Sequence, residues 1–501
     1  MGLVDFTVLM TLAMLVINRL AVIHSIVERI AVSLTFVFAL KSFEIFILIF
    51  FGLRPEIHLQ LIFSVLLLSG VVALCRKIPG PMKPVEGARE NLPWPREIWA
   101  TVIILSLLIT LSLCNGYFFP ITQTDGIWYH VKAMVYFSEG DIRSDFNHLQ
   151  HRFYSPFVPL LYTWLISLDW ERLKLIFSVF YACLLIIFYF RLRESSGNAK
   201  LSAIFTLLLG TTPYFWWHSV QSVLNLAAGV YYALGVIFWY FLIAETKEGS
   251  SDRAFSFALI SGLFFGISAW ARLEFILYVA IPYLLLVFCL DRNSNLPHVD
   301  QRRVFWGFTL CALIPASLWF STLWGMIGSE EKTIFGLMAA CVFLWILIPT
   351  YLKGWTRLGN RTLIGIGIVM VASFFGLFFT FGPMNLSPGT ALMVGLFRTF
   401  AFHIFYSFTV LLVIFLFAGR LWELSSPQKY VGVLLIFYLC GHFVLYSYFH
   451  PEWNSFAQYL SAIWPNPGNG VNTADTREML AFYPVLIFFI SFLPKIRQAF
   501  R

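Results

Sequence analysis

The chain has 501 residues, of which 59% are hydrophobic, 18% aromatic and only 12% charged, with a formal net charge of +8. An ordinary soluble domain carries about 25% charged residues, so this composition excludes one. The Lys and Arg residues stand singly between apolar runs and form no basic stripe, so the positive charge predicts no nucleic-acid partner and reads as membrane anchoring.

A helix needs about 20 apolar residues to cross the hydrocarbon with its backbone groups satisfied internally. Such runs recur near 6–22, 30–53, 59–75, 98–116, 172–190, 201–217, 220–244, 254–271, 273–290, 304–327, 334–350, 363–381, 401–418, 430–448 and 480–494. They predict an all-α polytopic integral membrane protein of about 13–15 transmembrane helices. The first run lacks a basic leader and a small-residue cleavage site, and reads as a span and not a signal peptide. Inside the second, Lys41 and Glu44 stand i,i+3 on one helix, which predicts a structural ion pair. The segment 155–168 is apolar but short, and Pro156 and Pro159 break its start. It predicts an interfacial or re-entrant helix lying on the outer leaflet. The cysteines, Cys75, Cys114, Cys183, Cys289, Cys311, Cys341 and Cys440, all fall in or beside apolar runs with no CxxC spacing, and read as small buried hydrophobes.

The basic residues divide into two sets. One set of connections holds Arg76, Lys77, Lys83, Arg89, Arg96, Arg191, Arg193, Lys200, Lys247, Arg253, Arg292, Arg302, Arg303, Lys353, Arg357, Arg361, Arg420, Lys429, Lys495, Arg497 and Arg501, together with Arg19 and Arg29. The opposite set is smaller: Arg54, Lys132, Arg143, Arg152, Arg172, Lys174, Arg272, Lys332, Arg398 and Arg477. By the positive-inside rule the first set and the C-terminus are cytoplasmic, and the second faces the other way.

The non-cytoplasmic set coincides with the polar interval from Tyr117 to Arg152, which carries Asp125, Trp128, Tyr129, His130, Lys132, Asp141, Arg143, Asp145, His148 and His151. Three more stretches bring polar groups to the same side: His218 to Asn225, Arg272 to Glu274, and His450 to Arg477. Ionisable groups near lipid are costly and usually mark function. Each also has a plainer reading. Asp125 could be a solvated loop acid or an N-cap for a helix over Trp128 to Phe137, His148 and His151 lack any strong metal-ligand partner set, and Arg272 with Glu274 could be a paired interface charge.

The run Thr124-Asp125-Gly126-Ile127-Trp128-Tyr129-His130, with Ala133 and Gly140-Asp141 after it, resembles the first external loop of the GT-C superfamily of membrane glycosyltransferases. That class includes the aminoarabinose transferases and protein mannosyltransferases. A proline-bearing apolar segment, Trp170-Glu171-Arg172, a glycine-rich span ending at Arg272, and the late Arg477 follow in the order of the family, over roughly residues 98–494. The sequence departs from it in three places: Gly126 stands where a second acid is common, Asn225 stands where an acid is common, and the Lys-Pro-Pro element is reduced to Ser155, Pro156 and Pro159.

The resemblance implies a GT-C-like catalytic module at 98–290, including an external loop at 117–171 with juxtamembrane helices. An N-terminal three-span extension at 1–75, a cytoplasmic loop at 76–97 and a C-terminal transmembrane module at 291–501 flank it. It implies an inverting glycosyltransferase that moves a sugar from a polyprenyl or dolichyl phosphate to a glycan, lipid or protein acceptor on the non-cytoplasmic face. A bacterial or archaeal plasma membrane is the expected setting. Asp125 would be the general base. Arg272, Arg477 and Lys132 would bind the donor phosphate, and Trp128, Tyr129, His130, Asn225 and Glu274 the substrates. The resemblance fixes no cofactor and leaves a divalent metal open. The competing expectations are a multispan transporter or lipid flippase, which would show repeats and midplane polar sites, and a non-catalytic relative of the family.

Overall fold

A computed structural model describes residues 1–77, 96–142, 155–272, 275–326, 424–435, 438 and 474–500. The predicted spans near 334–350, 363–381 and 401–418, and much of 430–448, lie outside the described residues. The described chain forms helices: α1 (Gly2–Leu20), α2 (Ile26–Phe50), α3 (Ile57–Lys77), α4 (Arg96–Phe118), α5 (Thr124–Glu139), α6 (Phe157–Ser167), α7 (Leu175–Ser196), α8 (Ala199–Thr211), α9 (Pro213–Ser219), α10 (Leu224–Glu248), α11 (Ser251–Ala271), α12 (Phe275–Arg292), α13 (His298–Met326), α14 (Ala474–Ile490) and α15 (Pro494–Ala499). No strand occurs among the described residues. Among the described residues, six helices are long and apolar enough to cross a membrane: α1, α2, Ile98–Phe118 of α4, α7, α10 and α11. They fit a multi-pass membrane protein.

Local chemistry sets the boundaries. Gly197 ends α7 in the left-handed conformation at φ 65°, where a side chain would be strained, and Asn198 then caps α8 by accepting from the Leu201 N–H at 2.9 Å. The predicted span 201–217 is two helices, because Thr212 is held extended ahead of Pro213, which begins α9.

α10, buried without interruption from Leu224 to Ile243, is the axis of the bundle. It runs antiparallel to α11 in a register held by two serines: Ser268 Oγ donates to the Ala228 carbonyl at 3.0 Å, and Ser261 Oγ to that of Gly235 at 2.9 Å. The opposite face of α11 meets α13 through Gly262 and Gly266, a small-xxx-small pair that lets two backbones touch. A Cβ at Gly266 would lie 2.6 Å from the Cys311 carbonyl oxygen and 2.7 Å from that of Ala312. Gly266→Val is therefore expected to cost about 1–3 kcal/mol by overpacking, seen as a lower unfolding midpoint in detergent. An unchanged midpoint would show that this crossing can open freely.

The three N-terminal helices share the core of the bundle. Tyr231 on α10 donates to the Thr35 carbonyl at 2.7 Å, and Trp270 Nε1 donates to Ser42 Oγ at 2.9 Å. Phe36 stacks on Phe264, and Phe38 meets Phe180 edge to face. The Lys41–Glu44 pair forms at 2.8 Å, and Asp5 of α1 joins it. Of the cysteines with a described environment, Cys183 and Cys289 are buried, Cys311 is half-buried and Cys114 is exposed on α4, which corrects the expectation of uniform burial.

The helix expected at 155–168 exists as α6, and it is packed inside the bundle and not on its surface. Every residue from Phe157 to Leu165 is buried, and Thr163 reaches α5 through the Ala133 carbonyl at 3.3 Å. Its surface is apolar all round, so protein encloses it.

Side-chain contacts sort the basic residues onto two ends. One end gathers Arg191 on Glu28, Arg253 on Glu245, Arg303 on Asp252, and Arg497 on the Ser195 carbonyl. The other gathers Arg54 beside Gly140, Lys174 on Asn115, and Arg172 over Tyr117. This is the division the sequence predicts.

Candidate functional site

The site is built on α5. Gln123, extended, precedes the helix; Asp125 lies in its first turn, and Gly140 closes it at φ 66°. The helix has two faces. Gly126, Tyr129, Lys132, Ala133 and Tyr136 are buried, whereas Ile127, His130, Val131 and Met134 are exposed. An exposed apolar stripe opposite a packed face is the pattern of a helix lying along an interface. Exposed Phe50, Phe51, Phe118, Phe119, Trp170 and Trp217 surround this end of the bundle, where interfacial aromatics anchor helices.

The first turn of α5 is seated on the break between α9 and α10. Gln123 Oε1 accepts from the Ser222 N–H at 3.3 Å, and a Cβ at Gly126 would lie 2.5 Å from that of Ser222. Only glycine permits this approach, so the residue standing where the family carries a second acid has a packing reason here. The Tyr162 hydroxyl of α6 faces Ser222 as well. One turn on, buried Asn225 has an Nδ2 with no hydrogen-bond partner among the described residues. A buried donor left this way is costly unless a bound group accepts from it.

Two further elements converge on the same layer. The serine register of α10 and α11 puts Asn225 opposite Ala271, so buried Arg272, which ends α11, stands beside it. Gly229 of α10 packs directly on the backbone of α14, its Cβ position 2.9 Å from the Ala481 nitrogen. The helices run parallel, since Tyr240 stacks on Phe492 at 4.9 Å. The backbone of Arg477, one turn before Ala481, is consequently level with Asn225.

The predicted site residues are thus distributed unevenly. Asp125 and Trp128 are half-buried on α5, Tyr129 and Lys132 are buried beneath them, and Asn225 and Arg272 share one layer. Lys132 is two turns below Asp125, about 10 Å along the helix. His130 is exposed, about a quarter-turn round α5 from buried Tyr129. Glu274, His148, His151 and His450 lie outside the described residues. Among the described residues no three His, Cys, Asp or Glu side chains gather as metal ligands.

Sequence reasoning placed Lys174 and the stretch containing Ser222 on this side but gave no site role to Gln123, Tyr162, Ser222 or Lys174. Lys174 Nζ donates to Asn115 Oδ1 at 3.1 Å and to the Pro120 carbonyl at 3.4 Å, tying the start of α7 to the chain entering α5. Burial holds its ammonium below the usual lysine range. Its place just before an apolar run, opposite the Asn115 that ends another, was the available signal. Chemically, the described residues of the layer offer the Asp125 carboxylate, the buried Arg272 guanidinium and neutral donors, a set suited to an anion with a neighbouring hydroxyl. Comparison with protein-family models, curated proteins and solved structures finds no match to this chain.

Proposed function

We propose that the protein is an inverting glycosyltransferase that uses a polyprenyl phosphate sugar at the non-cytoplasmic face of the membrane. The observation that carries this reading is the convergence of the Asp125 turn of α5, Asn225, Arg272 and the backbone of Arg477 on one end layer of the bundle, beside a ring of exposed aromatics. A lipid-linked sugar fits such a place, because its tail stays in hydrocarbon while its phosphate and anomeric carbon reach the interface. The Asp125 carboxylate would take the proton of the acceptor hydroxyl as that oxygen bonds to the anomeric carbon. The bond to the phosphate breaks with its electron pair leaving on oxygen, and Arg272, with Arg477, offsets that charge. Attack opposite the leaving group inverts the anomeric centre.

Arg272→Ala removes a charged hydrogen-bonding partner worth about 1.5–3 kcal/mol, so kcat/KM for a polyprenyl phosphate sugar should fall roughly 10- to 100-fold. Unchanged donor dependence would remove Arg272 from the site. Mass spectrometry of lipid-linked sugars and surface glycans in cells lacking the protein tests the whole reading. Accumulated donor with a missing surface sugar supports it. An unaltered glycan profile, or lipid crossing purified vesicles with no transfer, overturns it in favour of a scaffold or a transporter.

A further inference from the structure

The N-terminal helices α1, α2 and α3 contain a second ionisable cluster, built from residues that the transfer reading does not use. Lys41 lies on α2 nine residues before its end, about 13 Å inside the helix at 1.5 Å per residue. Its Nζ is 2.7 Å from Asp5 Oδ2 on α1 and 2.8 Å from Glu44 Oε2 on α2. The Ser64 hydroxyl of α3 lies 2.8 Å from Asp5 Oδ1 and 3.1 Å from Glu44 Oε2. All four side chains are essentially inaccessible to solvent, and α1 and α2 are both long and apolar enough to cross the membrane.

Charge does not balance here. Two carboxylates share one ammonium, so the fully ionised cluster carries a net negative charge inside helices that read as membrane spans, where an uncompensated charge costs several kcal/mol. No other described charge reaches it. Along the same helices, Arg19 is at the far end of α1, Glu28 pairs with Arg191, Arg54 lies beyond α2, and Glu56 pairs with His58 at the exposed start of α3. Among neighbouring helices, α6 has no charged residue and offers Trp164 on Phe6 and Phe38. The charges of α7 and α11 lie at their ends, and α11 offers Trp270 on Phe46. Glu44 Oε1 is buried with no hydrogen-bond partner among the described residues. An unsolvated carboxylate oxygen is an atom poised to take a proton.

We propose that Asp5, Lys41, Glu44 and Ser64 form a proton-binding site in which the two carboxylates share one exchangeable proton, with Lys41 as their fixed counter-charge. An inorganic cation would have to sit beside the ammonium, whereas a proton binds a carboxyl oxygen and brings the cluster to zero. Binding converts one carboxylate and one proton into one carboxylic acid and moves no other group. The neutral form holds α1 against α2 and α3; losing the proton leaves a buried charge that admits water between them. This site is independent of the transfer reading above.

Infrared spectroscopy of the full-length protein in lipid vesicles tests the proposal through the carbonyl stretch of a protonated carboxylic acid, identified by its shift in heavy water. The wild type at neutral pH should show an amplitude that falls by one carboxyl in Asp5→Asn and by the same one carboxyl in Glu44→Gln, because either variant leaves a single carboxylate neutralised by Lys41. Equal amplitude in all three proteins overturns the proposal, and loss in only one variant overturns the sharing. Ser64→Ala keeps all charges and serves if a charge variant fails to insert. Removing a donor that favours the carboxylate should move the midpoint of that band to higher pH, and an unmoved midpoint counts against the site.

Discussion

Asp125→Asn is expected to lower sugar transfer by about 10²- to 10⁴-fold while the protein still folds and inserts. The substitution keeps the shape of the side chain and removes the negative charge with which it takes a proton. Folding should be spared because Asp125 is half-buried, whereas the packing of α5 rests on Gly126, Tyr129, Lys132, Ala133 and Tyr136. The Gln123 contact with Ser222 is untouched as well. Transfer from a polyprenyl phosphate sugar to acceptor, followed in vesicles alongside the thermal midpoint, separates the two effects. Full activity in the variant would end the case for Asp125 as base, and a collapsed midpoint would make the residue a structural one.

The second large effect is one of stability, at the other end of the bundle. Arg191, almost wholly buried on α7, holds Glu28 of α2 through two parallel bonds, Nε to Oε1 at 2.5 Å and Nη2 to Oε2 at 2.7 Å. Its Nη1 lies 2.8 Å from Glu194, and its guanidinium stacks over Phe238 and Phe241 of α10. Arg191→Ala strands a buried carboxylate and is expected to cost about 3–5 kcal/mol. Replacing both partners by methionine should recover most of that, since the penalty belongs to the unpaired charge and not to the missing bridge. Arg303→Ala is the contrast. Its pair with Asp252 at 3.0 Å is exposed, and such pairs contribute about 0–1 kcal/mol. Thermal unfolding of the three variants in detergent ranks them, and an Arg191→Ala loss no larger than that of Arg303→Ala would refute a structural role for the buried pair.

Arg191 also shows where sequence reading stops. In the chain it stands with Arg193 and Lys200 as one more anchoring charge after an apolar run. Nothing local distinguishes it, because its partner Glu28 is more than 160 residues away. Lys41 is intermediate: its i,i+3 partner Glu44 was legible on one helix, but Asp5 and Ser64 come from two others. Position 126 was legible only as a missing acid, until Ser222 was seen against it.

What the sequence by itself determined was the helical membrane class, the places of α1 to α4, α7 and α10 to α14, and the division of the basic residues between two ends. Those follow from run length, breakers and the cost of charge in lipid, all of which act along a short stretch of chain. Only the tertiary structure decided that α6 is enclosed by the bundle, that α5 carries an exposed apolar stripe, and that Asn225, Arg272 and the backbone of Arg477 lie level. Burial and register depend on which faces meet, and the faces that meet here come from helices tens to hundreds of residues apart.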